Sequence, residues 1–128
     1  MRKRIVLVED EPASRELLCV WLGRQGFEAE CVADLASAKA ALSRATPDAV
    51  LLDIDLGGEC GLDLTAWMRR QETLFRVPVI AVTGHAMASD REFILKSGCN
   101  DYVPKPMDFA RLRECLQRWL NPAEPARV

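Results

Sequence analysis

Histidine occurs once in the 128 residues, at His85, and the five cysteines (Cys19, Cys31, Cys60, Cys99 and Cys115) form no Cys-x-x-Cys pair. An odd, scattered set of thiols and a lone imidazole argue against a zinc site or a disulfide framework, and free thiols fit a reducing cytoplasm. No apolar run approaches the ~18 residues that cross a bilayer, so no membrane partner is expected. The basic start Arg2-Lys3-Arg4 is followed by only Ile5 to Val8, too short for a signal peptide. Net charge is also scarce: 17 Lys and Arg against 19 Asp and Glu leave −2. That balance lacks the basic excess that nucleic-acid binding demands.

What is present is a series of short apolar runs separated by helical patterns. Ile5-Val6-Leu7-Val8, Ala49-Val50-Leu51-Leu52 and Val79-Ile80-Ala81-Val82 lack polar alternation, which predicts strands covered on both faces. Phe27 to Cys31 alternates, as a half-exposed edge strand does, and Tyr102-Val103 offers a fifth, short strand. Pro12 suits a first helical turn, with the pairs Leu17/Trp21 and Leu18/Leu22 predicting its apolar face. Asp34 is placed to cap the second helix, Gly61 precedes a third, and Ser89 with Glu92 reads as a capping box for the fourth, which Gly98 stops. Leu112, Leu116, Trp119 and Leu120 mark a fifth helix that Pro122 ends.

The order βαβαβαβαβα predicts a doubly wound, flavodoxin-like α/β domain over residues 1–120, with 121–128 as a disordered tail or linker. A five-stranded parallel sheet in the order 2-1-3-4-5, with helices on both faces, puts the alternating strand at an edge. It also opens a crevice where the first and third strands end.

Five polar residues fall at those strand ends: Glu9, Asp10, Asp53, Thr83 and Lys105. The first loop, Glu9-Asp10-Glu11-Pro12, offers acids where a nucleotide-phosphate cradle needs bare N–H groups or glycines. Two carboxylates ~4 Å apart repel by about 4 kcal/mol even at an effective dielectric of 20, so three together call for a cation or a shared proton. Oxygen ligands without His or Cys favour Mg2+. The metal and the Lys105 ammonium could then neutralise a phosphoryl group carried on Asp53 as an acyl phosphate, with Thr83 as hydrogen-bond donor.

Four segments carry a family resemblance: Val8-Glu9-Asp10-Glu11, Leu52-Asp53-Ile54-Asp55-Leu56, Val82-Thr83-Gly84-His85-Ala86-Met87 and Asp101-Tyr102-Val103-Pro104-Lys105-Pro106. In this order the chain resembles the receiver domain of bacterial two-component response regulators over essentially its full length. The resemblance implies a phosphorelay switch in which Asp53 accepts a phosphoryl group from a histidine kinase or histidine phosphotransfer protein. It implies Mg2+ on Glu9, Asp10, Asp53 and the backbone carbonyl of Asp55, and phosphoryl oxygens held by Thr83 and Lys105. Thr83 and Tyr102 become a switch pair, with the ring moving inward to remodel the face of helix 4, strand 5 and helix 5 for an unidentified downstream protein. Lys105-Pro106 is expected to be cis, and Asp55 and His85 to tune hydrolysis. Such a protein assists its own phosphorylation and dephosphorylation and is not an enzyme in the usual sense.

One departure from the family pattern stands out. A proline usual four residues after the acceptor is replaced by Gly57, followed by Gly58, which predicts a looser loop. Three other readings compete. Asp53-Ile54-Asp55 mimics the Asp-x-Asp motif of haloacid-dehalogenase-type phosphatases, but it follows the third strand instead of the first. A flavodoxin-like redox carrier would find its flavin phosphate repelled by the first-loop acids. A receiver-like module that binds partners without phosphorylation would have no need of the whole site.

Overall fold

The structure, a computed structural model, describes residues 2–84 and 88–120. His85, Met87, Pro122 and the rest of 121–128, for which expectations were stated above, lie outside the described residues. The elements follow in the order β1 (Arg4–Val8), α1 (Pro12–Arg24), β2 (Glu28–Val32), α2 (Leu35–Arg44), β3 (Ala49–Asp53), β4 (Asp55–Leu56), β5 (Glu59–Cys60), α3 (Leu62–Arg69), β6 (Val79–Thr83), α4 (Ala88–Lys96), β7 (Asp101–Pro104) and α5 (Phe109–Leu120). Five strands form one parallel sheet in the order β2-β1-β3-β6-β7. This is the expected 2-1-3-4-5 winding, with β6 and β7 as the fourth and fifth sheet strands.

The period-two side-chain alternation of a strand divides the apolar residues into two layers. Val6, Val8, Val50, Leu52, Val79, Ala81 and Tyr102 join residues of α2, α3 and α4 on one face. Ile5, Leu7, Ala49, Leu51, Ile80 and Val103 join α1 and α5 on the other. Both layers exclude water from β3 and β6, which are buried from end to end. That double cover explains why their sequences show no alternation.

Local signals set most element ends. Pro12 occupies the first turn of α1, where Glu11 accepts hydrogen bonds from the backbone N–H groups of Ala13 and Ser14. Asp34 caps α2 by accepting from Ser37 N at 2.8 Å. Gly98 follows α4 with φ +108°, a left-handed stop that glycine takes without steric cost.

Two expectations are corrected. Leu17 is 59% exposed, so α1 turns Leu18 and Leu22 to the core and leaves Leu17 outward. Ser89 lies within α4 instead of capping it, because that helix already includes Ala88.

The segment after β3 forms an element that the sequence reading lacked. β4 and β5 pair antiparallel, Asp55 with Cys60 and Leu56 with Glu59, around Gly57 and Gly58. Their φ values of +48° and +98° describe a two-residue turn that needs glycine-like freedom twice. Proline, fixed near −65°, cannot occupy the first of them. The loop expected to be loose is therefore a hairpin, with Leu56 buried to 3% exposure in the core.

Arg69 ties the bottom of the α3 side together. Its guanidinium donates to the carbonyls of Gly98, Leu74, Phe75 and Val77 and to Asn100 Oδ1. Asn100 Oδ1 also accepts from Val79 N at 2.8 Å, which fixes the entry to β6.

Candidate functional site

All parallel strands end on one edge, and the five sequence-selected side chains arrive there together. Glu9 and Asp10 follow β1, Asp53 ends β3, Thr83 ends β6, and Lys105 follows β7. Glu9, Asp53 and Thr83 are buried, at 1%, 4% and 0% exposure. One carboxylate oxygen each from Glu9, Asp10 and Asp53 lie within 4.8 Å of one another. Against these three acids stands Lys105, whose Nζ is 3.0 Å from Asp53 Oδ2 and 3.5 Å from Glu9 Oε1.

Backbone groups fix the remaining oxygens. Asp53 Oδ1 accepts the N–H of Asp55 at 2.9 Å, and Glu9 Oε2 accepts the N–H of Glu11 at 3.0 Å. Lys105 N donates to Thr83 O at 2.7 Å, and the next peptide bond, Lys105-Pro106, is cis. The hydrogen bond docks the end of β7 onto the end of β6, and so brings the ammonium over the acids.

Burial raises the Glu9 carboxyl above its ordinary 4.5; the Glu11 N–H opposes this, and the Asp53 charge adds to it. For Lys105, burial acts downward, but the hydrogen bond and charge of Asp53, then those of Glu9, outweigh it and raise the ammonium. Lys105 thus stays charged at neutral pH and leaves an acidic excess. An all-oxygen donor set with that excess fits a hard divalent cation.

Two contributors carried no functional signal in the sequence, and a third, Gly57, was legible only as a departure from the family pattern. Arg15 Nη1 donates to the carbonyls of Glu9 at 3.1 Å and Asp10 at 3.4 Å, bracing the acidic loop from α1. Gly61, legible only as the residue before a helix, lies so close that a Cβ there would sit 2.3 Å from Asp53 O. Gly57 packs its bare Cα against the Asp10 carboxylate. Gly57 and Asp10 are distant in sequence, and although Arg15 and Gly61 lie near the groups they touch, no helix or strand periodicity marks those contacts.

Tyr102 lies apart from the acids, with its ring turned inward at 9% exposure. The guanidinium carbons of Arg91 on α4 and Arg111 on α5 lie 5.5 and 6.0 Å from the ring centroid. Asp55 is exposed beside the site.

Residues 5–117 match the profile of the response regulator receiver domain. The chain belongs to that family. Its relatives include the polar-differentiation response regulator DivK of Brucella ovis, 33% identical over 123 residues that span 96% of this chain and all of that protein. Among solved structures, the receiver domain of the sensor histidine kinase PA1611 from Pseudomonas aeruginosa is 38% identical and superposes with a TM-score of 0.86. That match covers 94% of this chain and 99% of the other, which carries a magnesium ion coordinated in its active site cleft. The receiver domain of NtrX from Brucella abortus is 31% identical with a TM-score of 0.83, covering 91% of this chain and 98% of that one. As a receiver domain, the chain is a signalling module in two-component systems. No helix among the described residues is long and apolar enough to cross a membrane.

Proposed function

We propose that this receiver domain is a magnesium-dependent phosphoacceptor switch with Asp53 as the acceptor. The observation that carries the reading is the convergence of Glu9, Asp10 and Asp53 within 4.8 Å, with Lys105 Nζ 3.0 Å from Asp53 Oδ2. Glu9, Asp10 and Asp53, with the backbone carbonyl of Asp55, would hold Mg2+. Bound there, Mg2+ neutralises developing charge on the phosphoryl oxygens.

An Asp53 carboxylate oxygen attacks phosphorus as the P–N bond of a donor phosphohistidine breaks. The imidazole leaves with the bonding electron pair, and Asp53 becomes an acyl phosphate. Because such transfer leaves little covalent work to the protein, positioning and charge dominate. The Asp55 N–H orients one oxygen of the acceptor, and Lys105 shifts its ion pair from carboxylate to phosphoryl oxygens. Thr83, buried at the end of β6, supplies the hydroxyl. By the family resemblance, Asp55 and His85 are the residues that set how fast water removes the group. The domain catalyses only its own loading and unloading.

The donor is a phosphohistidine on a histidine kinase or a histidine phosphotransfer protein, and the output is protein contact on the face of α4, β7 and α5. Reversing a 1:99 equilibrium needs about 5.5 kcal/mol of differential interaction. A phosphoryl charge of about −1.5 to −2 beside an ammonium in a partly desolvated site is of sufficient strength. Thr83 and Tyr102 couple the two regions, and the inward ring packed beneath Arg91 and Arg111 is the form a partner would read.

Intact mass after incubation with acetyl phosphate and Mg2+ tests the proposal. A phosphoryl adduct should form on the wild type and be absent in Asp53→Asn or with chelator. No adduct from acetyl phosphate or from phosphorylated histidine donors would point instead to a module that binds partners without phosphorylation.

A further inference from the structure

The β4–β5 hairpin forms one rim of the acidic cleft, and its first turn residue faces a cation ligand. A Cβ built on Gly57 would lie 2.8 Å from Asp10 Oδ2 and 3.9 Å from its Cγ. Real Cβ atoms do not approach an oxygen that closely, so one of the two partners would have to move.

The hairpin is poorly placed to yield. Leu56 is buried in the core, and Glu59 Oε1 accepts the Leu35 N–H at the start of α2 at 3.2 Å. Gly61 N donates to Ile54 O at 2.7 Å and closes the base. Asp10, by contrast, ends in a carboxylate that two side-chain torsions can swing away. A side chain at Gly57 would therefore, beside the backbone strain of its positive φ, push the Asp10 carboxylate aside before it moved the hairpin.

We infer that Gly57 is a positioning residue for the cation: its missing side chain leaves the Asp10 carboxylate room to stand with Glu9 and Asp53. The inference rests on the cation reading proposed above and adds a determinant outside the ligand set. The neighbouring turn residue supplies a matched comparison. Gly58 also has positive φ, at +98°, but a Cβ there meets nothing within 4 Å. Backbone strain would penalise an alanine at Gly58 at least as much as one at Gly57, whose φ of +48° lies in the left-handed region that some residues adopt.

The test is calorimetric titration of MgCl2 into metal-free wild type, Gly57→Ala, Gly57→Asn and Gly58→Ala, with melting temperatures recorded in chelator. Asparagine tolerates the left-handed region and carries the same Cβ, so it decides the matter if Gly57→Ala does not fold. Both Gly57 variants should bind Mg2+ about tenfold more weakly, the scale on which supporting residues tune a metal site. Gly58→Ala should bind as the wild type does, and melting temperatures should not follow the affinities. Equal affinity in wild type and the Gly57 variants would overturn the inference and leave the cation site standing. Equal weakening in all three variants would overturn it in favour of backbone strain. A wild type that binds no Mg2+ would overturn the cation reading itself.

Discussion

Lys105 Nζ sits 3.0 Å from Asp53 Oδ2 and 3.5 Å from Glu9 Oε1, so two buried carboxylates share one ammonium unequally. The shorter contact goes to the proposed acceptor. Glu9, left with the longer one, is the acid whose carboxyl burial raises.

Replacing Lys105 with methionine should keep the aliphatic stem and remove the charge. Phosphoryl uptake from acetyl phosphate, followed by intact mass, should slow by about a hundredfold, as when one preorganised stabilising group is lost. Because Lys105 lowers the Glu9 carboxyl, Glu9 should also titrate at higher pH in the variant, read by carbon NMR of its carboxyl.

Arg69 serves four carbonyls and the Asn100 side chain. Truncation to alanine would leave part-buried acceptors without their donor. Urea unfolding of Arg69→Ala should show a loss of about 2–4 kcal/mol, with the retained acidic cluster still binding cation. Lysine should rescue only part, since an ammonium lacks the planar fork that reaches both loops.

Asp101 predicts how stability responds to acid. Burial acts upward on its carboxyl, but hydrogen bonds from Trp119 Nε1, the Tyr102 N–H and Cys115 Sγ, with the Arg118 charge, hold it below its ordinary 3.8. A depressed folded-state value contributes stability that is present above 3.8 and is lost as pH falls through the folded value. Asp101→Asn should therefore melt lower than wild type at neutral pH. The gap should narrow as melts are taken into that acid range.

The two adjacent leucines of α1 should separate cleanly. Leu18, 5% exposed, should cost about 2–5 kcal/mol on truncation to alanine. Leu17, 59% exposed, should change stability by no more than ~0.5 kcal/mol. Denaturant midpoints of the two variants check the helix face directly.

The sheet was legible because its central strands are apolar on both faces and end abruptly in charge or hydroxyl. That abruptness also put Glu9, Asp10, Asp53, Thr83 and Lys105 at one edge. The face of α1 was ambiguous because Leu17, Leu18, Trp21 and Leu22 satisfy two overlapping i,i+4 stripes, and tertiary packing takes in Leu18, Trp21 and Leu22 but leaves Leu17 outward. Ser89 and Glu92 met the local rule for a cap, yet the helix includes Ala88. Gly57-Gly58 did carry a hairpin signal, but with only two residues on each side it had no strand-like run to support it. The contacts of Arg15 and Gly61 with the site depend on how the first loop and the hairpin fold locally, which helix and strand periodicity does not record.

The hairpin on the rim also constrains how this protein can diversify. Its first strand turns Asp55 outward and Leu56 inward, so inserting residues in pairs at the turn raises the rim while preserving register. A single inserted residue would force a bulge or reverse the faces, driving Leu56 out of the core. The height of the wall beside the acidic cleft is thus quantised in steps of two residues. Variants that differ by one are expected to be rare, whatever their chemistry at the tip.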